Sequence, residues 1–369
     1  MPGKGKGGGG FKHDEVLTGV LLADDFSKSF HPIPQTKCLI KLANEPLIHY
    51  SLSLLHRSGV EKIIVFCKDS DEEVKRYLEG STKWANLHKH GKIEVHGPNP
   101  DVNSVGDVFR KLDTLNINDD FIFVPYDVVC NTDLSAALQE HKQRKSSHPV
   151  DKNAPLLTVI MTDNVSTKHE LRQLDDDVII AYGTKDQRLH HFGKTKSSQG
   201  SQKLPMSLFK ECKRLTVNYQ VLDSGVWICS KNVIEVFNDN FDYETQNIFV
   251  KRVIESFEFL GKEIHVHLLK SDYCCRVNNL TRHHLVQCDV INRKIYPLLP
   301  ETFHRSMRDG EYNVDMKRDY LHTTCKLSSA VKGNSFMVGP CTSIDCSVTM
   351  NESAVAGNCR VVVSLKNQQ

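Results

Sequence analysis

Between Val20 and Tyr50 the chain reads VLLADDFSKSFHPIPQTKCLIKLANEPLIHY and contains no glycine. A strand, a loop and a helix usually cradle a phosphate by turning through glycines that let backbone N–H groups face the anion. Here that turn carries Asp24 and Asp25 instead. Other absences narrow the reading further. No run approaches 18 apolar residues, so the sequence predicts no membrane partner. The formal net charge is only +2, which gives no basis for a nucleic-acid partner. The 12 cysteines include no C-x-x-C pair, so free thiols in a reducing cytosol are expected rather than zinc ligands. The opening MPGKGKGGGG lacks the apolar core of a signal peptide and, with no strand before it, reads as a disordered tail over 1–14.

What is present is regular. The 369 residues suffice for two or three domains. Strand-like runs at Val16–Ala23, Lys62–Cys67, Ile93–His96, Phe121–Pro125 and Leu156–Met161 alternate with helical spacing at 47–58, 71–78, 105–115 and 134–143. This order predicts an α/β fold, a doubly wound and mostly parallel sheet, over about residues 15–300. Later stretches read as strands at 215–222, 225–229 and 263–269, and as helices at 233–237, 249–259 and 282–293. Residues 301–330 read as a polar connector. From Val338 the units VGPCTS, IDCSVT, MNESAV and AGNCRV repeat every six residues. A hexapeptide period predicts the start of a parallel β-helix over 331–369, holding little more than one coil, with a small antiparallel ribbon as the alternative.

An α/β domain followed by hexapeptide coils resembles the sugar-nucleotide pyrophosphorylases. Their first strand runs into G-G-x-G-T-R-L-x-P-L, followed by K-P and N-x-P-x-I-x-Y. This chain keeps Leu22-Ala23, Pro32-Ile33, Lys37 and Asn44-Glu45-Pro46-Leu47-Ile48-His49-Tyr50. It replaces the glycines by Asp24, Asp25 and Ser27, and the Thr-Arg pair by Lys28-Ser29. Two like charges about 4 Å apart cost on the order of 4 kcal/mol at an effective dielectric near 20, roughly a thousandfold in affinity. The resemblance places one of the two magnesium-holding acids at Asp127, in Phe-Val-Pro-Tyr-Asp, and sets Arg276 where the second should be. A cation there opposes a divalent ion. Read alone, Asp127 is a turn or cap residue. The resemblance thus implies a degenerate nucleotide loop, a degenerate metal site, no cofactor and no nucleotidyl transfer.

Within that superfamily the chain is most similar to the epsilon-subunit family of translation initiation factor 2B, a guanine-nucleotide exchange factor. The similarity is carried by LLADDFSKSFHPI, ANEPLIHYSLSLL, VEKIIVFC, SVGDVFRKLD (Ser104–Asp113) and FNDNFDYETQ (Phe237–Gln246). It implies a regulatory and scaffolding role beside gamma and other subunits in the cytosol. It also implies contact with GDP-bound initiation factor 2 through Asn240 and Phe241. The residues alone allow a different role, a helix-ending turn with Asn240 near the left-handed region and Phe241 in the core. Family members continue into a C-terminal helical-repeat domain that carries exchange activity. Its pattern is absent here, so a truncated or shortened chain is expected. The competing expectations are an active sugar-1-phosphate nucleotidyltransferase and a non-catalytic structural paralogue.

Overall fold

The computed structural model describes residues 16–24, 26, 30, 36–115, 117, 119–147, 155–163, 177–195, 204–206, 208–209, 214–270, 272–298, 320–321, 324–328, 337–345, 348–349, 354–362 and 365–366. The buried apolar runs form the sheet. Strands β1 (Thr18–Leu22), β4 (Lys62–Phe66), β5 (Ile93–His96) and β6 (Phe121–Pro125) are parallel neighbours in the order β6-β1-β4-β5. Beyond β6 lies β11 (Leu215–Cys229), antiparallel to it, then β8 (Pro155–Thr162) and β12 (Glu263–Leu269), which run parallel to one another. Among these seven strands only β11 runs against the others, so the mostly parallel α/β expectation holds. The two strands expected at 215–222 and 225–229 are this one strand, bulged where Gly225 takes φ +69°. Its first half leaves the main sheet to pair with β9 (Asp177–Gly183), whose other neighbour is β10 (Leu189–Thr195).

Helices α1 (Leu47–Arg57), α2 (Asp71–Gly80), α3 (Ala85–Lys89), α4 (Val105–Leu112) and α5 (Ser135–Ser147) fall between the first strands. They are followed by α6 (Asn232–Asp239), α7 (Gln246–Glu255), α8 (Phe257–Leu260) and α9 (Leu280–Ile291). Ser104, Thr245 and Asn279 cap α4, α7 and α9 with side-chain oxygens that accept N–H bonds. The helical spacing expected from residue 47 matches the start of α1. Ala43 and Asn44, both at positive φ, turn a hairpin between β2 (Lys41–Leu42) and β3 (Glu45–Pro46), and the helix begins at Leu47. Two cores result, one on each face of the sheet. The second is built on rings: Phe237 stacks on Phe109 at 4.4 Å and on Phe249 at 4.1 Å, while Trp227 lies 5.6 Å from Phe249.

Farther along, β14 (Tyr320–Leu321), β16 (Met337–Val338) and β19 (Ala354–Val355) pair in parallel. So do β15 (Lys326–Ser328), β17 (Ser343–Asp345) and β20 (Arg360–Val362), and likewise β18 (Val348–Thr349) and β21 (Leu365–Lys366). Parallel pairing removes the antiparallel-ribbon alternative. Two sequence expectations are corrected here. Among the described residues coil pairing is seen from Tyr320, inside the stretch read as connector, and parts of three coils are present rather than little more than one. Each coil takes 17 residues, since Met337 pairs with both Tyr320 and Ala354. A strict six-residue count drifts out of phase with that spacing and misses the first coil. Val338, Ile344 and Val355 form its buried core.

Candidate functional site

Ligands of open α/β sheets bind at the carboxyl ends of the strands. Two acids predicted to matter stand there, Asp24 after β1 and Asp127 after β6. Asp24 is turned onto its own chain. Its Oδ2 accepts from the Lys68 backbone N–H at 2.6 Å and from the Ser70 hydroxyl at 3.0 Å, beside the N-terminus of α2. A helix N-terminus favours an anion, and here the chain supplies one of its own. Burial pushes the Asp24 carboxyl above its usual value, against the lowering effect of those donors. Asp25, Ser27, Lys28 and Ser29 lie outside the described residues. Lys37 opens a short 3-10 turn over Lys37–Leu39.

Asp127 is buried and meets Arg276 of β13 (Cys274–Arg276). The Arg276 Nε lies 3.1 Å from both carboxylate oxygens, and Nη2 lies 3.0 Å from Oδ2. The resemblance sets Arg276 where a second acid would stand, and its side chain contacts Asp127. They meet because β13 pairs antiparallel with β7 (Val128–Cys130), bringing Arg276 opposite Val128. Gly225 supplies the room: a Cβ there would lie 3.1 Å from Nη1 of Arg276. Burial works against the Arg276 charge, but the Asp127 carboxylate outweighs it, so the guanidinium is held above its usual value. Among the described residues no group of three or more His, Cys, Asp or Glu side chains is placed to hold a metal ion.

Behind β3 lies a polar cluster that the sequence did not single out. Trp84 Nε1 donates to His49 Nδ1 at 3.2 Å, and the Tyr77 hydroxyl lies 3.1 Å from the same nitrogen. With Nδ1 serving as acceptor, His49 is a neutral imidazole. The Glu45 carboxyl, 3.4 Å from Nδ1, then meets a lone pair unless it carries a proton. Burial pushes Glu45 up to about 7, against Lys41 and Lys83.

Asn240 and Phe241 are far from these acids in role and surroundings. Asn240 follows α6 with extended backbone at φ −141°, and its Oδ1 accepts from the Asp242 N–H at 2.9 Å. The Phe241 ring is 73% exposed, whereas Tyr243 two residues later is buried edge-on against Phe237 and Phe249. Neither half of the core-turn alternative survives: Asn240 is not left-handed and Phe241 is not in the core. The loop is tightly supported. The Gly106 N–H donates to Glu244 O at 3.1 Å, and a Cβ at Gly106 would fall 1.8 Å from Tyr243 O. Arg110 lies against the exposed ring, with its guanidinium carbon 5.0 Å from the Phe241 centroid. Gly106 and Arg110 sit within the SVGDVFRKLD stretch, and neither spacing nor composition links them to a loop about 130 residues away.

Comparison with known proteins follows the same lines. A family profile described as nucleotidyl transferase matches residues 29–171. The chain is 32% identical to the translation initiation factor eIF2B subunit epsilon of Schizosaccharomyces pombe over 305 residues, covering 82% of this chain and 44% of the relative. It is 31% identical to the corresponding Dictyostelium discoideum protein over 320 residues, covering 86% of this chain and 44% of the relative. The Schizosaccharomyces pombe gamma subunit is 22% identical over 223 residues. The chain thus spans less than half the length of the curated relatives it matches. Among solved structures, the inositol-1-phosphate CTP transferase from T. maritima superposes with a TM-score of 0.52 at 11% identity, over 77% of this chain and 98% of the other. That likeness concerns the fold alone.

Proposed function

We propose, for a chain homologous over more than four fifths of its length to eIF2B epsilon subunits, a scaffolding and regulatory role in a translation-initiation exchange factor rather than nucleotidyl transfer. In this reading residues 15–300 form the nucleotidyltransferase-like unit and the coils follow. The chain assembles with a gamma-type subunit in the cytosol. It touches GDP-bound initiation factor 2 through Asn240 and Phe241 to promote GDP release by the whole complex. The observation that carries this reading is the exposed Phe241 side chain on a loop whose other aromatic residue, Tyr243, is buried. An aromatic held outside the core on a supported loop suits an anchor in a partner's pocket. The Asp127–Arg276 pair supports the loss of transfer chemistry: both carboxylate oxygens already accept from a guanidinium where magnesium would need them.

The test uses the reconstituted exchange-factor complex carrying this segment. Phe241→Ala should weaken binding of GDP-bound initiation factor 2 by roughly thirtyfold, as a hot-spot loss of about 2 kcal/mol requires. Unchanged affinity would remove the contact role. The same complex, given ATP or GTP, magnesium and a sugar 1-phosphate, should release no pyrophosphate. Sustained magnesium-dependent release would establish the transferase reading instead.

A further inference from the structure

The C-terminal end of α6 poses a local problem. The last carbonyls of a helix have no partner within it, and the residue that follows α6 is extended rather than turned back to satisfy them. Arg110 meets the need from a different helix. Its Nη1 donates to Phe237 O at 3.2 Å and reaches Asn240 O at 3.5 Å, while Nη2 donates to Asp107 Oδ1 at 2.9 Å. A cation at a helix C-terminus also suits the helix dipole. The guanidinium carbon also lies over the Phe241 ring, 5.0 Å from its centroid, and only 13% of the Arg110 side chain is exposed. One planar group therefore fixes the helix end, the carbonyl of Asn240 and the orientation of the next ring.

We infer that Arg110 is the positioning residue of the Asn240–Phe241 contact; this rests on the contact reading proposed above. Arg110 acts through Phe241. It holds an exposed ring in one orientation, so that the partner does not have to order a mobile side chain on binding. Lysine is no equivalent, because a point charge on a flexible stem cannot bond two carbonyls and a carboxylate while presenting a flat face to the ring.

A double-mutant cycle in the full complex tests this, with affinity for GDP-bound initiation factor 2 as one readout and denaturant unfolding of each variant as the other. Arg110→Ala should weaken binding roughly tenfold in the wild-type background and less than about twofold in the Phe241→Ala background. Arg110→Gln keeps a donor for the helix-end carbonyls but no cation, so it protects folding and should still lose about as much affinity as Arg110→Ala. Arg110→Lys should recover part of the loss. A 4-fluorophenylalanine placed at position 241 supplies a readout independent of the partner. Its fluorine resonance should shift toward that of a freely rotating ring when Arg110 is replaced. An unchanged resonance, or the same tenfold loss with and without Phe241, overturns the inference. If Phe241→Ala alone leaves affinity intact while the resonance still responds to Arg110, the contact reading fails and takes the assigned role with it.

Discussion

The strand ends beside Asp24 and Asp127 and the loop at Phe241 use polar groups in opposite ways. At the strand ends, charge is spent inward. Asp24 takes the Lys68 N–H and the Ser70 hydroxyl, and Asp127 takes Arg276. At the loop, an arginine fixed by Asp107 and two carbonyls leaves a large apolar ring facing water. A cleft whose donors and acceptors satisfy one another has little to offer a nucleotide. A loop whose polar groups are satisfied from behind has its ring free for a partner. The difference teaches that one architecture can pair its polar groups so that one surface closes on itself and another leaves an apolar ring exposed.

Two phenylalanines four residues apart give the sharpest contrast. Phe237→Ala removes a ring stacked on both sides in the core and should cost roughly 3–5 kcal/mol of folding stability. Phe241→Ala should cost less than about 1.5 kcal/mol. Denaturant unfolding of both variants decides it, and equal losses would break the distinction between ring in and ring out. Next in size is Arg276→Ala, which leaves the Asp127 carboxylate buried without its cation. A loss of about 3 kcal/mol is expected, largely recovered when Asp127→Asn is added. Recovery measured by the same unfolding experiment sharpens the claim that the pair is self-contained; a harmless Arg276→Ala would undo it.

The smallest effect concerns pH at Glu45. Its carboxyl titrates near 4.5 when unfolded and at about 7 when folded. Below that window both states hold the proton, and above it neither does. Between the two values only the folded state retains it, so this contribution is lost as pH rises through the window. Glu45→Gln should match wild type near pH 4 and exceed it by on the order of 2 kcal/mol at about pH 8. Unfolding curves that differ by the same amount at both pH values would show that the carboxyl is not held protonated.

The fold was legible because its strands are long apolar runs. Val20–Leu22, Ile63–Phe66 and Phe121–Val124 are buried almost without exception, and period alone marks the helices between them. Short elements carried no such signal. β7 and β13 have three residues each, and the Ala43–Asn44 hairpin has two-residue strands. Arg276 was found only because a resemblance named the position opposite Asp127. Phe241 was found in the same way; the residues alone favour a helix-ending turn with that ring in the core. Arg110 was missed: its partners at the end of α6 and just beyond it lie 127 and 130 residues away, where neither spacing nor composition reaches.

Separation along the chain has a further consequence, in the order of synthesis. Asp127 precedes its only guanidinium partner among the described residues by 149 residues. At about 5–20 residues per second, a ribosome exposes that carboxylate for roughly 7–30 seconds before Arg276 is made. β6 can join β1 during that interval, but the strand end cannot close, because the β7–β13 ribbon does not yet exist. The Phe241 loop docks on α4 through Glu244 and packs its Tyr243 on Phe249, so its parts are made before Arg276. In a nascent chain the Phe241 loop is therefore complete while the Asp127 strand end still waits for Arg276.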